Sequence, residues 1–164
     1  MIIKIDNKKI EISKEIYSIF QASYKIEAEL LQATNFPPLN RTISEFSNSN
    51  NSFYANYLDN DIAGVIEVDD NGESTHIQSL VVYPKYFRQG IAKQLVQFVL
   101  DSYVSKQFTV ETGLDNKPAI KLYTRFNFQE TKQWNTNHGV RKIRFEKRIS
   151  KKEILKFEGF KTID

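Results

Sequence analysis

Residues 73–104 read ESTHIQSLVVYPKYFRQGIAKQLVQFVLDSYV, and the order of patterns within them decides the fold: a strand, a short turn, a helix. Residues 74–83 carry the strand, and Pro84 ends it because proline has no N–H to give to a ladder. From Gly90 onward, Ile91, Leu95, Phe98 and Val99 recur on one helical face. Between them lies the turn Arg88-Gln89-Gly90-Ile91-Ala92. The first turn of a helix leaves N–H groups without partners and sits at the positive end of the helix dipole, so an anion is favoured there. A small residue at that turn lets a phosphate approach the backbone. The stretch is therefore a candidate cofactor cradle.

Upstream, residues 53–58 and 62–68 alternate apolar and polar positions around Asp59-Asn60-Asp61, a hairpin by pattern and turn chemistry. Asp69-Asp70-Asn71-Gly72 turns the chain again, so three strands form an antiparallel meander ending in the cradle. Further back, residues 1–12 alternate at period two through Ile3, Ile5, Ile10 and Ile12, which predicts a strand or a small hairpin. Ser13 is a candidate cap for a helix running to about Ala33, with Ile16, Ile19, Phe20, Ser23, Ile26 and Leu30 as its buried stripe. Pro37 and Pro38 break the chain after it, and Thr42 to Phe46 suits a short second helix. Downstream, residues 108–111 form a short apolar strand. It follows a helix that follows a strand, so it is expected parallel to the earlier one. Asn116 caps a helix with Pro118 in its first turn, and Asn127 suits the left-handed residue that ends it. Residues 128–135 and 140–149 make a final hairpin. The tail, residues 151–164, has no assignable pattern.

At 164 residues the chain suits one domain over residues 1–164. No apolar run is long enough to span a bilayer, and charges interrupt the N-terminal apolar residues, unlike a signal peptide. A cytoplasmic location and no membrane partner are the expectations. The absence of cysteine removes disulfides, thiolate metal sites and a cysteine nucleophile together. A net charge of +3 suits an anionic small molecule but lacks the basic stripe of a nucleic-acid binder. His76 and His138 stand far apart with no third ligand at a telling spacing, so no metal is expected.

Two motifs now carry a resemblance. Phe87-Arg88-Gln89-Gly90-Ile91-Ala92, preceded by Leu80-Val81-Val82-Tyr83-Pro84, resembles the Gln/Arg-x-x-Gly-x-Gly/Ala signature of the GNAT superfamily of N-acetyltransferases, with Phe87 replacing the usual first residue. Asn116-Lys117-Pro118-Ala119-Ile120-Lys121-Leu122-Tyr123, then Asn127-Phe128, resembles the family's second segment, with Asn127 for its glycine. The implied fold is α/β (α+β): a mixed central sheet of six or seven strands, splayed between the fourth and fifth, with about four helices.

The resemblance also implies roles. Acetyl-CoA would be the co-substrate and an amine, on a small molecule, peptide or protein, the acceptor. Main-chain groups of Arg88, Gln89, Gly90, Ile91, Ala92 and Lys93 would hold the pyrophosphate. Those of Leu80, Val81 and Val82 would pair with the pantetheine arm, with the Val82 N–H near the thioester carbonyl, and Asn116 would hydrogen-bond that arm. Tyr123 would protonate the leaving thiolate, although by spacing alone it reads as a core tyrosine. His76 falls where several family members place a general base, and reads equally as a polar residue at the start of a strand; Glu67 and Glu111 are the alternatives. Trp134 and Phe36 are candidates for the acceptor pocket. The expected function is acetyl transfer to a primary amine by direct attack on the thioester, against a second hypothesis of a non-catalytic CoA-binding sensor. A homodimer through the last hairpin or the tail is left open.

Overall fold

The computed structural model describes residues 1–161; residues 162–164, the end of the unassigned tail, lie outside the described residues. Seven strands form: β1 (Ile2–Ile5), β2 (Ser52–Leu58), β3 (Asp61–Asp70), β4 (Ser74–Val82), β5 (Gln107–Gly113), β6 (Gln129–Asn135) and β7 (Arg141–Arg148). They join one mixed sheet in the order β1-β2-β3-β4-β5-β7-β6. Every neighbouring pair is antiparallel except β4 and β5, which run parallel. A helical crossover joins that pair, as a parallel connection requires. The helices are α1 (Ile10–Leu30), α2 (Ile43–Asn48), α3 (Ile91–Ser102), α4 (Lys117–Arg125) and α5 (Lys151–Lys161). The mixed sheet and its helices match the expected fold.

Because side chains alternate along a strand, the sheet has two apolar faces. On one, Ala63, Ile66, Ile77 and Phe108 pack with Leu95 and Val99 of α3 and with Tyr123 of α4. On the other, Phe53, Ala55, Val65 and Val81 pack with Ile16 and Phe20 of α1 and Phe46 of α2. Gly64 sets how closely α3 approaches: a Cβ there would stand 2.7 Å from Ile91 Cγ2 and 2.9 Å from the Val81 carbonyl. No helix among the described residues is long and apolar enough to cross a membrane.

The N-terminus departs from the period-two reading. Ile10 and Ile12 belong to α1, not to a strand, and Ser13 is buried inside its first turn, donating from Oγ to the Ile10 carbonyl at 3.0 Å. The helix opens at Lys9 without a side-chain cap. A short apolar run fits both periods, and the Asp6–Asn7 turn leads into the helix instead of a hairpin. The buried stripe of α1 runs through Ile16, Ile19, Phe20, Tyr24 and Ala28, leaving Ile26 and Leu30 exposed. The tail forms α5.

Candidate active site

The turn before α3 is built from two left-handed residues, Arg88 (φ 63°) and Gly90 (φ 77°). A Cβ on Gly90 would meet nothing within 4 Å, so glycine serves the backbone conformation and the space before the turn is open. Gln94 N–H is bonded to the Gly90 carbonyl as the first turn of α3 closes. The N–H groups of Ile91, Ala92 and Lys93 precede that bond and have no intrahelical acceptor. Phe87 is 40% exposed beside this turn.

Next to it the sheet opens. β4 pairs with β5 only from Ser74↔Gln107 to Ile77↔Val110. At that point the β3–β4 register slips, with Ile77 opposite Val68 and Ser79 opposite Glu67, so Gln78 has no partner. Such a bulge bends the strand that carries it, and beyond it β4 leaves β5. Tyr83 N–H donates to the Ala63 carbonyl at 2.8 Å. Alternation along an antiparallel ladder then turns the peptide groups of Val82 and Leu80 away from β3, toward the side β5 has vacated. Val81 differs from the expectation: by the same alternation its peptide groups face β3, and its side chain is buried.

Side chains from both layers meet in this gap. Asn116 caps α4 by accepting from Ala119 N–H at 3.2 Å, and its Nδ2 donates to Glu27 Oε1 of α1 at 3.1 Å. Tyr123 of α4 is 4% exposed. Burial pushes its phenol well above the ordinary tyrosine pKa, and the nearby charge of Glu27 acts in the same direction. Tyr24 of α1 is also pushed up, by burial first and Glu27 second, against a hydrogen bond with Ser79. Burial raises the Glu27 carboxyl above its usual range, while the Asn116 hydrogen bond and the Lys142 charge oppose that rise. Where β5 ends, Gly113 makes room for Leu31, the residue that caps the end of α1; a Cβ there would stand 2.6 Å from Leu31 Cδ2. The result is a cleft of about 1030 Å³ whose lining includes Tyr24, Glu27, Leu80, Gly90, Asn116 and Tyr123.

The other sequence candidates lie differently. His76 pairs with Thr109, its Nδ1 2.7 Å from Thr109 Oγ1, and it is absent from the cleft lining. Burial lowers its pKa, with Glu111 the main opposing influence, so the imidazole is neutral at neutral pH. Glu67 is wholly buried. Arg41 grips it with two hydrogen bonds of 2.7 and 2.8 Å, and Asn51 Nδ2 donates to it at 2.9 Å. Its oxygens are thereby committed. Glu111 lines the cleft in ion pairs with Arg144 at 3.1 Å and Lys142 at 3.8 Å. Phe36 and His138 line the cleft, whereas Trp134 does not. Among the described residues no group of three or more His, Asp or Glu stands ready to hold a metal. Glu27 and Tyr24 are the site residues that sequence patterns missed. One signal was available: Phe20, Tyr24, Glu27 and Leu31 follow helical spacing, which puts a carboxylate on the stripe that should be apolar.

Residues 13–128 match the model of the acetyltransferase (GNAT) family. The chain is 30% identical over 141 residues to UPF0157 protein YqkA of Bacillus subtilis, covering 85% of this chain but 41% of that protein. It thus spans less than half the length of that relative. The solved ribosomal-protein-S18-alanine N-acetyltransferase of Escherichia coli superposes with a TM-score of 0.72 at 18% identity, over 92% of this chain and 94% of that one. The PaiA N-acetyltransferase of Thermoplasma acidophilum, solved with coenzyme A, gives 0.70 at 15% identity, over 91% and 98%.

Proposed function

Because this chain belongs to the acetyltransferase (GNAT) family, we propose that it is an acetyl-CoA-dependent N-acetyltransferase acting on a primary amine. The observation that carries this reading is the meeting of Glu27, Asn116 and Tyr123 where β4 parts from β5, beside two peptide groups with no strand partner. The cleft residues suit the co-substrate. Free N–H groups at Ile91, Ala92 and Lys93 suit a pyrophosphate, with Arg88 and Gln89 completing the turn. The Leu80 and Val82 peptides suit an extended arm carrying amide groups, which would bond to them as a strand does, and Asn116 stands beside that path. Val81 contributes side-chain packing that fixes β4.

Acetyl-CoA supplies the acetyl group as a thioester. An outward N–H on β4 is a preformed donor for the oxyanion that develops on attack. Glu27 takes one proton from the ammonium, which frees the nitrogen lone pair that then bonds the carbonyl carbon, and its raised pKa makes it a better base than an exposed carboxylate. Tyr123 gives a proton to the sulfur as the C–S bond breaks, and the second proton that the nitrogen loses on becoming an amide restores the phenol. Its burial keeps the phenol protonated, and Glu27, once protonated, no longer opposes phenolate character. No covalent acyl-enzyme is needed, and holding both substrates in one cleft supplies much of the rate. His76, outside the cleft lining, serves in this reading to tie β4 to β5 through Thr109.

A coupled assay of thiol release over a panel of primary amines tests the proposal. Acetyl-CoA-dependent release that needs an amine is the expected result. Tight acetyl-CoA binding without turnover on any amine would instead establish the non-catalytic CoA-binding module.

A further inference from the structure

Away from the turn at Gly90, the cleft is walled by α1 and the loop that follows it. Ile26 and Leu30 stand one helical turn apart on α1, line the cleft, and are 44% and 48% exposed. Phe36, Pro37 and Pro38 line it from the loop. Apolar side chains scattered singly over a surface mean little, but these share one concave wall.

The charges there are equally selective. Among the described residues two carboxylates line the cleft, Glu27 and Glu111. Glu111 is already held by Arg144 and Lys142. Among the described residues, the Glu27 carboxylate meets only the neutral amide of Asn116 at hydrogen-bonding distance. Six cations also line the cleft, Arg88, Lys93, Lys121 and Arg125 on the α3 and α4 side and Arg41 and Lys142 nearer Glu27 and Glu111, Arg41 being bound to buried Glu67. One ammonium therefore has a carboxylate to approach. A second or third would find cations and, among the described residues, no free acid in the lining, at a cost that rises as water leaves the cleft.

We infer that the acceptor is a primary amine with a single positive charge on an apolar body, which lies against Ile26, Leu30 and Phe36 while its ammonium meets Glu27. This rests on the acetyl-transfer reading and narrows its acceptor. The shared chemistry has two sources, a small alkyl or aryl amine and a peptide N-terminus bearing an apolar side chain.

The test measures kcat/KM of the full chain for 2-phenylethylamine, a leucyl tripeptide, spermidine and an aminoglycoside at physiological salt. One of the first two is expected to exceed both polycations by roughly tenfold or more, the usual worth of an apolar contact set, and the better of the two names the source. The double variant Ile26→Glu/Leu30→Glu changes exposed helix positions, so an unaltered Tm is expected. It should lose roughly tenfold on the apolar amine, mainly through KM, and gain on spermidine. That opposite movement is a readout that general damage to the fold would not produce. Spermidine or the aminoglycoside turning over as well as the monoamines, or a double variant with unchanged preference, overturns the acceptor assignment and leaves acetyl transfer standing. No turnover with any of the four overturns both.

Discussion

Tyr123 and Glu27 come from helices on opposite faces of the sheet, and the Glu27 charge adds to burial in raising the proton affinity of Tyr123. Tyr123→Phe removes one oxygen from a ring that also packs against Phe128 and Phe145, so packing should survive. Turnover is expected to fall by about 10²-fold or more, the ordinary worth of a placed acid, with acetyl-CoA affinity nearly unchanged by calorimetry. An unchanged kcat would remove the acid role. Glu27→Gln retains an oxygen for Asn116 but cannot accept a proton. In the wild type, kcat/KM should rise with pH along a limb lying above the ordinary carboxylate range, and the variant should lack that limb. Stability should move the other way. The folded-state pKa of Glu27 is raised, so between the ordinary value of 4.5 and that raised value the native state binds more protons than the unfolded chain. Stability therefore falls as pH rises through that window. The variant escapes this loss. Its Tm should exceed the wild type's at neutral pH, and the gap should close below pH 4.5. A variant less stable at neutral pH would contradict the assignment of burial as the main cause.

The segment between α1 and β2 is anchored by one ion pair. Arg41 lies over the Phe46 ring, 4.1 Å from its centroid, while its two terminal nitrogens bind the buried carboxylate of Glu67 on β3. Arg41→Ala would leave that carboxylate buried without a cation, which typically costs about 3–5 kcal/mol. Denaturant unfolding should show the loss, and Arg41→Ala/Glu67→Gln should recover much of it. Equal stability of single and double variants would mean the pair is not coupled. Elements were legible in proportion to how local their signals are. α3 and α4 announce themselves through Gly90, Asn116, Pro118 and Asn127, each of which acts within its own turn. α1 was misjudged at its start because Ile10 and Ile12 satisfy both periods. The cradle and Tyr123 are candidates in the sequence because a motif marks them. Glu27 is not, since what makes it part of the site is a bond to a residue 89 positions away, and no local pattern encodes the parting of β4 from β5.

The two halves of the sheet are joined through a short ladder, Ser74–Ile77 against Gln107–Val110, and then separate. Beyond it, α1 and its C-cap residue Leu31 cross the gap, by the Glu27–Asn116 hydrogen bond and by Leu31 over Gly113. The molecule is thus least self-sufficient where the co-substrate would lie. A ligand bonded to the outward peptides of β4 and to the α3 turn would take the place of the missing ladder. Its binding to the folded state alone adds RT ln(1 + [L]/Kd), about 2.7 kcal/mol at a hundredfold excess over Kd. For a chain of this size that corresponds to a rise in Tm of about 5–10 °C. Acetyl-CoA is expected to give such a rise, and to slow amide exchange at residues 78–82 and in the first turns of α3 and α4. Gly90→Val forces a β-branched residue to φ 77°, a conformation that strongly disfavours it, and should abolish the rise by deforming the turn. If acetyl-CoA protects α3 but leaves residues 78–82 exchanging as before, the pyrophosphate would sit at the turn while the arm lies elsewhere, and the pairing assigned to Leu80 and Val82 would be wrong.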